Sequence, residues 1–171
     1  MHDMEHQTET NLQLAFEVES QAYRRYQLFV DKAKEEGYPQ IARMFSAAAE
    51  AKKVSSSNLF KAINKTGSTK DSLLAGISGE YYAISKMYPH YIEHAVIDND
   101  KGAKTSFEYA EEVGQIHHDC FQQALEALEA GQQPQDEPYF VCQVCGNSVA
   151  GEAPDKCALC GSTGRQFRRV E

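Results

Sequence analysis

Two short stretches near the C-terminal end, Cys142-Gln-Val-Cys145-Gly146 and Cys157-Ala-Leu-Cys160-Gly161, constrain the fold of this chain more than any other feature. Eleven residues lie between Cys145 and Cys157. In each stretch the two-residue spacer and the following glycine let the backbone turn tightly around an ion, and two such knuckles complete a tetrahedral four-thiolate site. Cys142, Cys145, Cys157 and Cys160 are therefore expected to be metal ligands. A segment of roughly thirty residues cannot build a sufficient core alone, so the metal must supply much of its folding energy. Four thiolates suit iron and zinc alike. Iron would cycle between ferrous and ferric states and carry one electron, whereas zinc would be a passive staple. Tyr139, Phe140 and Phe167 flank the site. They serve either to limit water access or as the core of a small zinc ribbon, and from the ribbon alone the two metals stand level.

The remainder of the chain reads as helix. From Thr8 to Gly131 the sequence is rich in Ala, Glu, Lys, Gln and Leu, with apolar residues at helical spacing. Glycines and a proline divide it into four stretches: Thr8 to Glu36 before Gly37, Pro39 to Asn64 before Gly67, Ser72 to Ile97, and Lys101 to Ala130 before Gly131. Four long helices in succession predict an antiparallel four-helix bundle.

The two halves of this region resemble each other. Glu80 follows Glu19 at an offset of 61, and at an offset of 62 Phe45 falls on Phe107, Ala48 on Ala110, Glu50 on Glu112 and Leu59 on Phe121. Two copies of one helical hairpin would place matching residues around a common centre. After the second copy, Gly131-Gln-Gln-Pro-Gln-Asp-Glu-Pro138 reads as a polar linker. The expected domains are thus a helical bundle over 1–131, a linker over 132–138 and a cysteine ribbon over 139–171.

Charge narrows the function. The chain has 17 Lys and Arg against 25 Asp and Glu, a formal charge of −8, which disfavours nucleic acid and anionic membrane surfaces as partners. No apolar run of about eighteen residues occurs, so no membrane span is expected. The first residues, Met1-His2-Asp3-Met4-Glu5-His6, are acidic where a signal peptide would be basic. A cytoplasmic location is expected, where clustered cysteines bind metal rather than form disulfides.

A helical hairpin repeat, a linker and a two-knuckle ribbon together resemble the rubrerythrin family over nearly the whole chain. The most specific stretches are Ala15-Phe-Glu-Val-Glu19-Ser-Gln-Ala22 with Arg25-Tyr26, Gly79-Glu80 with Met87-Tyr88-Pro89, and the cysteine ribbon. The resemblance implies a mainly α fold, a ferritin-like bundle with a rubredoxin-like ribbon. It also implies a cytoplasmic homodimer, a redox protein partner, peroxide reduction at a carboxylate-bridged di-iron site, and one iron at the four cysteines, with zinc as the alternative.

Carried across residue by residue, the di-iron ligand set is incomplete. Glu19, Glu80 and His117 match family ligands. The family's extra glutamate falls on Ala83, one Glu-x-x-His pair becomes Lys52 and Ser55, and the other keeps His117 but has Gly114. The repeat supports this alignment, because an offset of 62 sets Lys52 on Gly114 and Ser55 on His117. A di-iron centre is therefore not expected. Two carboxylates without metal repel each other, and the Lys52 ammonium would supply the missing positive charge in a Glu19–Lys52–Glu80 cluster.

Other side chains weigh less. Tyr26 and Tyr88 match family tyrosines but read as amphipathic core residues. His90 and His94, spaced i, i+4, read as a solvated face with a metal pair as the alternative. Glu108, Glu111 and His118 offer a rearranged site around His117, and Cys120 reads as a small buried apolar residue. The expected function is one-electron transfer at the ribbon, with the bundle as scaffold. A peroxide reductase with rearranged ligands and a zinc-stapled interaction module are the alternatives.

Overall fold

The computed structural model of the protein describes residues 2–63 and 67–170, with side chains from residue 7 onward. It is mainly α, with a small antiparallel sheet near the C-terminal end, and it divides into two compact units, Met1–Gly67 and Ser68–Glu171.

The first unit is a hairpin of α1 (His2–Glu35) and α2 (Pro39–Ile63). The first helix begins at His2 rather than near Thr8, since no Gly or Pro interrupts the segment before it. It ends as expected at Gly37. There φ is +80°, and the Tyr38 and Gly37 N–H groups donate back to the Ala33 and Lys34 carbonyls at 2.8 and 3.1 Å. Pro39 then opens α2, where its missing N–H costs nothing. The expected end of this helix at Asn64 lies outside the described residues. Small residues let the helices approach closely: Ala22, Ala33, Ala42 and Ala49 are buried, with Val30 among them and Phe45 packed alongside. Phe16 and Phe60 meet farther along, with ring centroids 5.3 Å apart.

The second unit opens on a capping box. The Ser68 hydroxyl accepts from the Asp71 N–H, and the Asp71 carboxylate accepts from the Ser68 N–H at 2.7 Å. The third expected helix is not uniform. It runs as α3 (Thr69–Tyr82), a π-helical segment over Ala83–Met87, and α4 (Tyr88–Ile97). Pro89 has no N–H to give and its ring crowds the carbonyl one turn back, so a widened turn precedes it. Asp100 caps α5 (Lys101–Glu129) by accepting from the Ala103 N–H at 2.9 Å. Tyr88 and Tyr91 flank Phe107 on α5, at centroid distances of 6.5 and 5.5 Å.

Residues 132–138 form neither helix nor strand, and the ribbon follows. Its sheet has the order β2 (Ser148–Ala150), β1 (Tyr139–Cys142), β3 (Phe167–Val170), with both pairings antiparallel. Phe140 lies opposite Val149 on one side and Arg169 on the other.

Candidate metal centre

Cys142 ends β1, Cys145 follows in the first turn, and Cys157 and Cys160 occupy the second. The glycine after each knuckle has a positive φ, +85° at Gly146 and +73° at Gly161. There each N–H returns to the carbonyl of its knuckle's first cysteine at 2.9 Å, closing the turn. All four sulfurs lie within 4.8 Å of one another. The Cys142–Cys160 and Cys145–Cys157 separations are 3.8 and 3.6 Å. A metal–sulfur bond of about 2.3 Å implies a tetrahedral sulfur–sulfur edge of about 3.8 Å. The donor set therefore fits a single thiolate-bound ion, and none of the cysteines forms a disulfide.

The electrostatics agree. Burial raises the Cys142 thiol, but the Ser162 hydroxyl and the Cys145 and Val144 N–H groups outweigh it and bring the thiol down to about 6. Burial likewise opposes ionisation of Cys157, and the Cys160 N–H and the Asn147 side chain overcome it. Cys145 goes the other way. Burial pushes it up to about 12, against one N–H from Asn147, and the neighbouring sulfurs add to the rise. Converging thiolates cannot all ionise alone, and a central cation removes that obstacle.

Sequence reasoning missed the polar shell around the sulfurs. The Asn147 amide donates to the Cys157 sulfur at 3.5 Å, and the Ser162 hydroxyl lies 3.3 Å from the Cys142 sulfur and 3.1 Å from that of Cys160. The available signal was position, since both residues directly follow a knuckle glycine.

The helical candidates fall into two groups. In the first unit the Lys52 ammonium lies 2.6 Å from the Glu19 carboxylate, and this hydrogen bond raises the lysine above its usual 10.5. Ser55 is half-buried on the same helix, and Tyr26 packs against Phe29 and Phe45. In the second unit the Glu80 carboxylate lies 3.4 Å from His117 Nδ1. Gly114 is buried, and a side-chain carbon there would meet Ile84 at 2.9 Å and the Glu80 carboxylate at 3.1 Å. The space for a ligand at 114 is already filled. Ala83 begins the π-helical segment and offers no donor.

Glu108 is taken by Lys104, and His118 lies 3.3 Å from Asp119. His90 and His94 are exposed on α4, with ring centroids 4.4 Å apart. Cys120 is only half-buried. Among the described residues, the four cysteines are the one set of three or more metal-ligating side chains that converge.

The family model described as Rubrerythrin matches residues 10–125, which takes in most of α1 and of α5. The chain belongs to the rubrerythrin family. It is 30% identical to Rubrerythrin-2 of Clostridium acetobutylicum, over 92% of this chain and 93% of the relative. It is also 30% identical to Nigerythrin of Nitratidesulfovibrio vulgaris, over 88% of this chain and 80% of the relative. Solved structures of nigerythrin, in a mixed-valence and a fully reduced, all-ferrous state, match with TM-scores of 0.56 and 0.57 at 28% identity. Each covers 95% of this chain and 86% of that one. These rubrerythrin matches therefore extend past the helices into the ribbon that carries the four cysteines. No helix among the described residues is long and apolar enough to cross a membrane.

Proposed function

We propose that this rubrerythrin is a one-electron carrier whose redox centre is an iron held by Cys142, Cys145, Cys157 and Cys160, and whose di-iron site has been lost. Bound iron supplies reversible ferrous–ferric chemistry. The protein's own residues bury two of the sulfurs, fix their spacing and direct N–H groups at them. That nigerythrin has been solved in an all-ferrous state favours iron over zinc here.

The observation that carries the loss of the di-iron site is the Lys52–Glu19 pair at 2.6 Å. An ammonium takes a position where the family places a bridging carboxylate, and it occupies the one surviving carboxylate ligand of that hairpin. The filled space beside Gly114 supports the same reading in the other hairpin. Without bridging carboxylates two hard cations cannot be held at close range, so the peroxide reduction that the family resemblance implies does not follow. The protein works in the cytoplasm as a homodimer and exchanges electrons with a redox protein.

Metal analysis and a visible spectrum of the protein purified without added metal test this. One iron per chain and a red colour bleached by reductant are expected. About three irons per chain would restore the peroxide-reductase reading, and colourless protein with one zinc would make the ribbon a staple.

A further inference from the structure

His117 has lost its metal-binding partners, yet its two ring nitrogens face two different parts of the second unit. Nδ1 lies 3.4 Å from the Glu80 carboxylate on α3. Nε2 lies 3.3 Å from the Ser148 hydroxyl, the first residue of β2. That hydroxyl donates to the Gly146 carbonyl, also at 3.3 Å. The ring thus bridges α3 and β2, with a polar partner beside each of its nitrogens. The loop also runs close to α5: a Cβ added at Gly146 would lie 3.7 Å from a Val113 methyl. Val144 and Cys145 line one cavity of about 430 Å³ together with Glu80, Val113 and His117.

The loop held in this way is the one that serves the sulfurs. The N–H groups of Val144 and Cys145 point at the Cys142 sulfur, the Asn147 N–H points at the Cys145 sulfur, and the Asn147 amide reaches Cys157. Reducing a four-thiolate ferric site takes its net charge from −1 to −2, so donors aimed at the sulfurs favour the reduced form and raise the potential. A loop free to drift would hold them less well.

We propose that His117 is a positioning residue for the four-cysteine centre: through Ser148 it clamps the Val144–Asn147 loop onto α5 and thereby raises the reduction potential of the iron. This rests on the iron reading above. The geometry of the clamp does not.

The test compares the iron-containing full-length protein with S148A, H117A, the double variant and H117Q, whose amide can still donate to Ser148. Two quantities are measured: the midpoint potential, and hydrogen exchange at the Val144, Cys145 and Asn147 amides. Both single variants and the double variant should shift the reduction equilibrium several-fold towards ferric by the same amount, where tenfold corresponds to about 59 mV for one electron. Exchange at the three amides should quicken in parallel, and H117Q should restore much of both. Strictly additive shifts, or an H117A shift with S148A unchanged, would mean that the imidazole acts independently of Ser148 and would overturn the clamp. If the wild-type protein is colourless, the iron reading fails. Exchange in the zinc-bound protein then decides the clamp, and unaltered amides in S148A would refute it.

Discussion

Lys52 and Gly114 stand at matching places of the repeat, and the space around each is taken up by a different physical route. At Lys52 the route is charge. A lysine raised by a partner contributes stability below its unfolded value, and that contribution is lost as pH rises through the folded value. Lys52 is raised by Glu19, so the pair should stabilise the first unit at neutral pH and stop doing so above 10.5. Lys52→Met should melt slightly lower than wild type at neutral pH, and the gap should close in alkaline solution. A gap independent of pH in thermal melts would assign the effect to packing of the lysine stem instead. At Gly114 the route is volume. Alanine gains about 1 kcal/mol of helix propensity over glycine, but overpacking costs about 1–3 kcal/mol. The clash is with a methyl of Ile84, a β-branched side chain with little rotamer freedom in a helix. Gly114→Ala should therefore destabilise by up to about 2 kcal/mol alone, yet stabilise by about 1 kcal/mol when introduced into Ile84→Ala. Urea titrations of the four proteins measure both. That Lys52 and Gly114 match each other could be read from the sequence, because the repeat aligns them at an offset of 62. That Ile84 had moved in could not, since it depends on which way one side chain leans across an interhelical gap.

At the scale of elements, the stop at Gly37 and the starts at Pro39 and Lys101 were legible because they rest on local chemistry, whereas the first helix starts at His2, ahead of the expected Thr8. Gly37 and Pro39 act through backbone angles that can be read from the sequence, and the structure adds the Asp100 cap at the start of α5. Asp100→Ala should accordingly cost the second unit about 1 kcal/mol, while Asp100→Asn, which keeps the side-chain acceptor, should cost little. Chemical denaturation followed by far-UV circular dichroism separates the two. The π-helical segment was not seen, although its trace was present. The helix ends Glu35 and Ile97 are 62 residues apart, as are the helix starts Pro39 and Lys101, whereas Glu19 and Glu80 are 61 apart. One extra residue must therefore lie between Glu80 and Ile97, and the widened turn at Ala83–Met87 accommodates it. A repeat read for its matches alone passes over the single residue by which the copies differ. The polar shell of the ribbon stayed hidden for a related reason. Asn147, Ser148 and Ser162 look like ordinary turn residues until the knuckles bring them onto sulfur or onto α5.

For the whole molecule, the ribbon and the helices are stabilised by different means. The helices are held by buried alanines and aromatic contacts, whereas the ribbon has four sulfurs placed to share an ion. Removing that ion should unfold one and spare the other. Cys157→Ser, or exposure of the wild type to a strong chelator, should abolish hydrogen-exchange protection in β1–β3 while leaving most of the helical circular dichroism signal. Loss of helicity in step with the metal would show instead that the helices depend on the ribbon.

The odd residue in the π-helical turn also bears on the gene. A hairpin copied in tandem begins as two interchangeable segments, and recombination between them can expand, contract or homogenise the pair without harm. One additional codon in the third helix ends that freedom. An exchange whose crossover falls before the turn on one copy and after it on the other gains or loses a codon mid-helix, turning every following side chain by about 100°. The two halves would then diverge separately, in keeping with the different residues, Lys52 and Gly114, at their matching positions.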